Sequence, residues 1–451
     1  MIRLLTVCFF GMPLAVWPQQ APDICQPLNE GWSYVSEWPA MGLTAEPFGF
    51  EPDRAEPVEL PHRQLLPNTA MWYRRSIRCA DTCHLLLRAD DGAQVWQDRR
   101  RLLPDAAGQY EVVPGTDSSI LSVRVLNNAM AGGLKSACLL DHGSGEKRRI
   151  ERMRRDQTIV TGSRLQELAD KNRSRIRQLR LEAEESVTFT LWGDSQGGWD
   201  TFATLVRQMV RPPVDFSIGL GDLTGDGSDP AEWESLFKCM QPFAQQETPV
   251  FLLAGNHDYD GYSDDLVPVH YLRWTRGKDD GSTWFAWQAG PAAFIALDPN
   301  ATFPLGFGET QLSWLAEQFE SPGWQQARWR FLLVHQPPYG QGWAGYDGEE
   351  CVRELVDRIA EPQRINFVCA GHIHDYERLR KTYGRQTTHL VITGGAGGTL
   401  EPPASNGHPL MDKLLKQHHY LNFVVEEDKV VVEAFDSGGR TLDRWVVTQS
   451  Q

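Results

Sequence analysis

The chain has 451 residues, 41% hydrophobic and 23% charged, which makes it globular and long enough for two or three domains. Its formal net charge of −15 lacks the basic footprint expected of a nucleic-acid binder. No apolar run reaches the length of about 18 residues expected of a membrane span, and there is no internal repeat or low-complexity tract.

Residues 1–21 read as a secretory signal: Arg3, then apolar Leu4 to Val16, then the polar stretch Gln19-Gln20-Ala21. A secreted or periplasmic protein is therefore expected. Without Cys8 seven cysteines remain, so at least one thiol stays unpaired if the others bond within the chain. Residues 22–145 carry short alternating runs bounded by turn signals: Trp72 to Arg78, His84 to Arg88, Ala93 to Asp98, Tyr110 to Val113 and Ile120 to Leu126. These predict an all-β sandwich. Cys79 and Cys83 flank three residues between two of the runs, and facing positions of a hairpin not joined by ladder bonds have Cα atoms about 4.5 Å apart. A disulfide is expected there, and a second between Cys25 and Cys138 across the sandwich. Residues 146–185 then turn Arg-rich with Glu and Asp, and Leu165, Leu168, Ile176 and Leu179 have loosely helical spacing. They predict one or two connecting helices with a solvated, mixed-charge face.

From residue 186 to residue 451 five polar clusters each follow an apolar, strand-like run. They are Gly193-Asp194-Ser195-Gln196, Gly221-Asp222, Gly255-Asn256-His257-Asp258, His335, and Gly371-His372-Ile373-His374. Asp194, Asp222 and Asn256 lie 28 and then 34 residues apart, close to the roughly 30 residues of a strand-helix-strand unit. Trp199 to Val210 and Pro230 to Phe243 supply the helical patterns between them. Carboxylate, amide and imidazole groups therefore collect beyond the carboxyl ends of the strands of an α/β sheet, where ligands bind. If the backbone stays extended through Ile373, His372 and His374 point to one side, and paired imidazoles suit borderline metal ions. Strands are also expected at Ser282 to Trp287, Ala292 to Leu297, His389 to Thr393, Tyr420 to Glu426 and Lys429 to Phe435, with helices at Glu309 to Phe319 and Glu349 to Ile359. Long loops follow His257 and His335, and such loops select substrates around a fixed chemical site. Tyr259, Trp199, Tyr339 and Trp343 are candidates to line the mouth.

This order of clusters resembles the calcineurin-like metallophosphoesterases, and the stretches GHIHDYER, LVHQPPY and ITGGAGG are most similar to their purple acid phosphatase branch. The resemblance spans about residues 186–445. It implies a four-layer α/β/β/α sandwich holding two divalent metal ions (Mn, Fe or Zn). Asp222 would bridge them, with Asp194 and His374 on the first and Asn256, His335 and His372 on the second. It further implies that His257 faces the phosphate and protonates the leaving oxygen, and Asp258 is the candidate to keep that imidazole charged. Tyr376, Glu377 and Arg378 would support the ligands from beneath. Two departures stand out: Gln196 occupies a place where the family has histidine or glycine, and Gly225 the place of the tyrosine in the purple branch. Gln196 is a neutral, weaker donor through its amide oxygen. The N-terminal stretches MWYRRSIRC, GAQVWQD and ILSVRVLNN resemble the jelly-roll sandwich of β-galactosidase-type glycoside hydrolases, which implies possible glycan contact. The expected activity is hydrolysis of a small phosphate monoester. A phosphodiesterase acting on nucleotides or phospholipid head groups is the alternative, as is a carbohydrate-binding protein with a vestigial phosphoesterase domain.

Overall fold

The computed structural model describes residues 25–37, 54–66, 69–89, 93–103, 109–115, 118–127, 131–140, 162, 164–179, 186–227, 229–259, 268–277, 281–302 and 305–448. The expected signal lies outside these residues, as does most of the charged segment before residue 164. Among the described residues no helix is long and apolar enough to cross a membrane.

Alternating side chains near the N-terminus produce two antiparallel sheets. One runs Cys25–Pro27, Leu134–Leu140, Cys83–Ala89, Gln109–Val112 in spatial order. The other runs Glu56–Val58, Trp32–Glu37, Thr69–Ile77, Ser119–Asn127, Ala93–Gln97, Arg100–Leu102. Trp32, Tyr73 and Val123 of the second sheet bury against Leu85, Tyr110 and Leu139 of the first. This is an all-β sandwich, and all five expected strands lie in it.

The expected Cys79–Cys83 disulfide is not formed, and the Cys83 thiol donates to the Asp81 carbonyl at 3.2 Å. The reason is topological. Thr69–Ile77 and Cys83–Ala89 are not hairpin partners but belong to different sheets, so the short connection crosses the sandwich instead of turning within a ladder. Cys138 is disulfide-bonded. The side chain of Cys25, its expected partner, lies outside the described residues, although the strand Cys25–Pro27 pairs directly with Leu134–Leu140 in one sheet rather than across the two.

The larger unit is built on two further sheets. In the first, Val250–Leu252, Phe216–Gly219 and Ser186–Trp192 run parallel and continue antiparallel through His419–Glu426, Lys429–Asp436 and Thr441–Thr448. The second runs Phe285–Ala289, Ala292–Ala296, Trp329–Leu333, Phe367–Ala370, Gln386–Thr393, Tyr376–Tyr383, Lys413–Leu415, with parallel pairing through its centre. Near-continuous apolar runs such as Phe331 to Val334 are what strands buried on both faces require. Between the sheets Phe189 stacks on Phe216 and Phe423, at centroid distances of 5.1 and 4.8 Å, and meets Phe294 and Phe331 edge-on. Such pairs add about 0.5–1.5 kcal/mol each beyond area burial.

Helices cover both outer faces. Trp199–Met209 and Pro230–Cys239 pack on the first sheet through Phe202, Leu205, Trp233 and Leu236, and Gly308–Glu320 and Glu350–Ile359 pack on the second through Leu315, Phe319, Val352 and Val356. The result is the expected α/β/β/α layering. The helix over residues 164–178 is more than a solvated connector. Its Leu165 and Ala169 enter the first outer core, and Asn172 bonds both the N–H and the carbonyl of edge residue Val250, at 3.0 and 2.8 Å. Both parallel strand sets deliver their carboxyl ends to one end of the double sheet.

Candidate metal centre

At that end the loops depart from relaxed backbone. Asp194, Asp222 and His372 have φ of 61°, 48° and 69°. Left-handed conformations of non-glycine residues cost of order 1–3 kcal/mol each and collect at functional sites. His372 is thereby turned out of the extended path that would have set it beside His374. The strand ends at Ala370, and the two imidazoles enter different clusters. Close packing makes glycine obligatory at Gly255, where a Cβ would sit 2.2 Å from the Asp222 amide nitrogen.

Ligand atoms of Asp222, His335 and His372 lie within 4.8 Å of one another, and so do those of Asp194, Asp222 and His374. Asp222 belongs to both groups. The His335 Nδ1–H donates to the Leu220 carbonyl at 2.8 Å, which leaves the Nε2 lone pair 3.2 Å from Asp222 Oδ1. His374 repeats the device: Nδ1–H donates to the Thr399 carbonyl at 2.6 Å, and Nε2 is 3.5 Å from Asp194 Oδ1. A lone pair facing a carboxylate needs a proton or a cation between them. Burial opposes charge on His335, but Asp222 and Asp194 outweigh it and push the imidazole up to about 10. Burial is likewise outweighed at His374, where Asp194 lifts the imidazole to about 9. At Asp222 burial alone would raise the carboxyl, yet His335, His257 and His372 hold it well below the usual range. His372 is driven well below the usual imidazole range by burial and by His335, its Nδ1 faces His335 Nε2 at 3.3 Å, and among the described residues its buried Nε2 has no hydrogen-bond partner. A neutral imidazole that turns a nitrogen towards the other ligand atoms is in the state that a metal ligand requires.

The other expected residues divide. Gln196 reaches the cluster, but its amide nitrogen rather than its oxygen faces inward, 3.1 Å from Asp222 Oδ2 and 3.2 Å from His374 Nε2. Asn256 is buried alongside, and the next amide, of His257, donates to Asp222 Oδ1 at 3.0 Å. The partly exposed His257 ring donates from Nδ1 to the Gly225 carbonyl at 3.1 Å. Asp258, expected beside that ring, instead accepts from the amides of Gly255, Leu223 and Thr224 and from the Thr224 hydroxyl, at 2.9 to 3.2 Å. It ties two loops together. Burial, then Asp222, push its carboxyl up to about 7 despite these bonds.

Trp343 lies against His372 with ring centroids 5.4 Å apart. Tyr259 does not line the mouth: its hydroxyl donates to Asp298 at 2.6 Å and its ring packs in the outer core, where Trp199 also packs. Tyr339 is spent on Asp357. Tyr376 and Arg378 share Asp443, and Glu377 accepts from the amides of Gln341 and Gly342. The residues that sequence reasoning missed are mostly backbone acceptors. Leu220 and Thr399 orient imidazoles through their carbonyls, a role that leaves no signature in residue type. Glu401 accepts from the His374 amide at 3.3 Å, and the only hint of it is its place just after ITGGAGG.

Comparison with known proteins agrees with this geometry. Residues 187–376 match the calcineurin-like phosphoesterase family. Fe(3+)-Zn(2+) purple acid phosphatase 12 of Arabidopsis thaliana is 23% identical over 289 residues, 55% of this chain and 61% of that protein. A purple acid phosphatase of Glycine max is 22% identical over 290 residues, 55% of this chain and 62% of its own length. The chain thus spans less than two thirds of these curated relatives. Among solved structures, purple acid phosphatase PPD1 from yellow lupin (Lupinus luteus) seeds shares the fold with a TM-score of 0.53 at 13% identity, covering 84% of this chain and 72% of that one. Paired sheets, a carboxylate common to two ligand groups and the family match converge on one conclusion: residues 187–376 form a calcineurin-like metallophosphoesterase domain with purple acid phosphatases among its homologues.

Proposed function

We propose that this protein hydrolyses phosphate monoesters at a centre of two divalent metal ions, drawn from Mn, Fe and Zn. The observation that carries the reading is Asp222, one buried carboxylate common to two ligand groups, each with an imidazole oriented by a backbone carbonyl. The donor set fits such ions: mixed oxygen and nitrogen ligands, with His372 Nδ1 and His335 Nε2 facing each other at 3.3 Å, two nitrogens that a cation would satisfy. Asp194, Asp222 and His374 would hold one ion, and Asp222, Asn256, His335 and His372 the other. When bound, such a pair polarises a phosphoryl oxygen and makes water acidic enough to attack at neutral pH.

The chain's own residues do the rest. Asp222 supplies negative charge between the two cation positions. The carbonyls of Leu220 and Thr399 hold His335 and His374 in the tautomer that offers Nε2. His257, anchored through Nδ1 to Gly225, protonates the departing ester oxygen from Nε2, and Asp258 fixes the loop that places it. Gln196 steadies Asp222 by donation from its amide nitrogen to Oδ2. Export is the compartment that the Cys138 disulfide supports, since such bonds persist in oxidising surroundings.

Metal-loaded full-length protein assayed against phosphate mono- and diesters tests the reading. Faster turnover of monoesters, abolished by chelation, is expected. Preference for diesters would transfer the assignment to a phosphodiesterase, and no hydrolysis alongside tight glycan binding would favour the vestigial alternative.

A further inference from the structure

The chain after His335 turns back over the site. Trp343 and Tyr346 lie against the His372 imidazole at centroid distances of 5.4 and 5.3 Å, and 5.0 Å from each other. Tyr346 is buried with Ile373 and Ile392, whereas Trp343 packs on that cluster and stays partly exposed. A partly exposed indole therefore borders a candidate metal ligand.

Its place is set from a segment 63 residues further along the chain. Asn406 Nδ2 donates to the carbonyls of Trp343 and Tyr346 at 2.9 and 2.7 Å, and Oδ1 accepts from the Gly345 amide at 2.7 Å. The Asn406 amide donates to the Gln341 carbonyl, and the Gln341 side chain donates back to the Asn406 carbonyl, at 2.8 and 3.1 Å. From beneath, Glu377 accepts from the amides of Gln341 and Gly342 at 2.8 and 2.7 Å. A loop laced on both sides is pre-organised, which lowers the ordering cost of binding against it.

We propose that Trp343 is a stacking platform for the leaving group, that the substrates are aryl phosphates, with the aromatic ring bonded directly to the ester oxygen, and that Asn406 is the platform's positioning residue. The proposal rests on the phosphoesterase reading above and narrows its substrate class. The decisive point is proximity. The indole touches a ligand of the proposed centre, so the group facing it is the one attached to the phosphate. A nucleoside would set its ribose there and carry the base beyond it. In the reaction water adds its oxygen to phosphorus, the bond between phosphorus and the ester oxygen breaks, the phenol leaves with a proton from His257, and a proton released by the water restores His257, giving inorganic phosphate and a free phenol.

The test uses the metal-loaded full chain with phenyl phosphate and trifluoroethyl phosphate, whose fluorines bring the alcohol's acidity nearer to a phenol's. Phenylphosphonate and cyclohexylphosphonate serve as competitive inhibitors. In the wild type phenylphosphonate should bind about three- to tenfold more tightly than cyclohexylphosphonate, the range of one aromatic contact. Trp343→Leu and Asn406→Asp should each bring that ratio close to one and raise KM for phenyl phosphate more than they lower kcat. Both variants should retain the wild-type metal content. Equal inhibition of the wild type by the two phosphonates overturns the platform, and needs no variant to fold. A nucleoside monophosphate preferred over phenyl phosphate, with the preference lost in Trp343→Leu, overturns the aryl assignment. Hydrolysis of neither ester overturns the phosphoesterase reading and this one with it.

Discussion

His257 and Gly225 show how single residues shape the chemistry here. His257 is anchored by its amide to Asp222 and by Nδ1 to Gly225, and it belongs to neither group of metal-ligand candidates. Its removal should spare metal binding while slowing the step in which the leaving oxygen needs a proton. His257→Ala is expected to keep its metal and lose about 10² to 10⁴ in kcat on an ester with a poor leaving group. A wild-type rate on that ester would remove His257 from the mechanism. Gly225 stands where the purple branch, which this chain resembles, has a tyrosine ligand. Neither Tyr259 nor Tyr376 replaces it, since their hydroxyls are committed to Asp298 and Asp443. Without a phenolate a ferric ion is less stabilised than a divalent one. The iron-loaded protein should therefore be colourless, and an intense visible band would contradict this.

Among the elements, the helix over residues 164–178 has the clearest structural role. Through Asn172 it satisfies both polar groups of Val250 on the edge strand that leads to Gly255 and Asn256. Asn172→Ala leaves a buried donor and a buried acceptor without partners, at a cost of about 1–3 kcal/mol. A fall in the urea midpoint at unchanged m-value would register it, whereas an unchanged midpoint would mean that water reaches the edge. The elements also show what the sequence could reveal. Strands buried on both faces, such as Trp329–Leu333 and Ala292–Ala296, were legible as apolar runs, and the polar clusters were legible at their ends. The path of Gly371 to His374 was not, because a positive φ at His372 is imposed by the loops around it. The Cys79–Cys83 pairing failed because three intervening residues do not distinguish a hairpin from a crossing between sheets. Asn406 was invisible because its partners lie 60 to 65 residues away and are mostly backbone groups.

At the scale of the whole molecule, the site couples to stability. His335 in the metal-free protein is raised from 6.5 to about 10, so its contribution is complete below pH 6.5 and lost as pH rises through about 10. Asp222 is shifted the other way, so its contribution is present above pH 3.8 and lost as pH falls through its depressed value. The Tm of chelated protein should thus decline from about pH 6.5 towards pH 10, and metal loading should remove that decline by replacing the protons with cations. Identical profiles with and without metal would mean that these imidazoles do not meet the ions.

The most direct measurement is the metal content of purified full-length protein and of Asp222→Asn, each loaded with Mn or Zn, freed of loosely held ions and assayed for monoester hydrolysis. Two ions per chain and turnover in the wild type are predicted, with both lost together in the variant. A wild type that holds no metal yet hydrolyses the ester, or an Asp222→Asn that keeps both ions and full activity, would contradict a dinuclear centre bridged by Asp222.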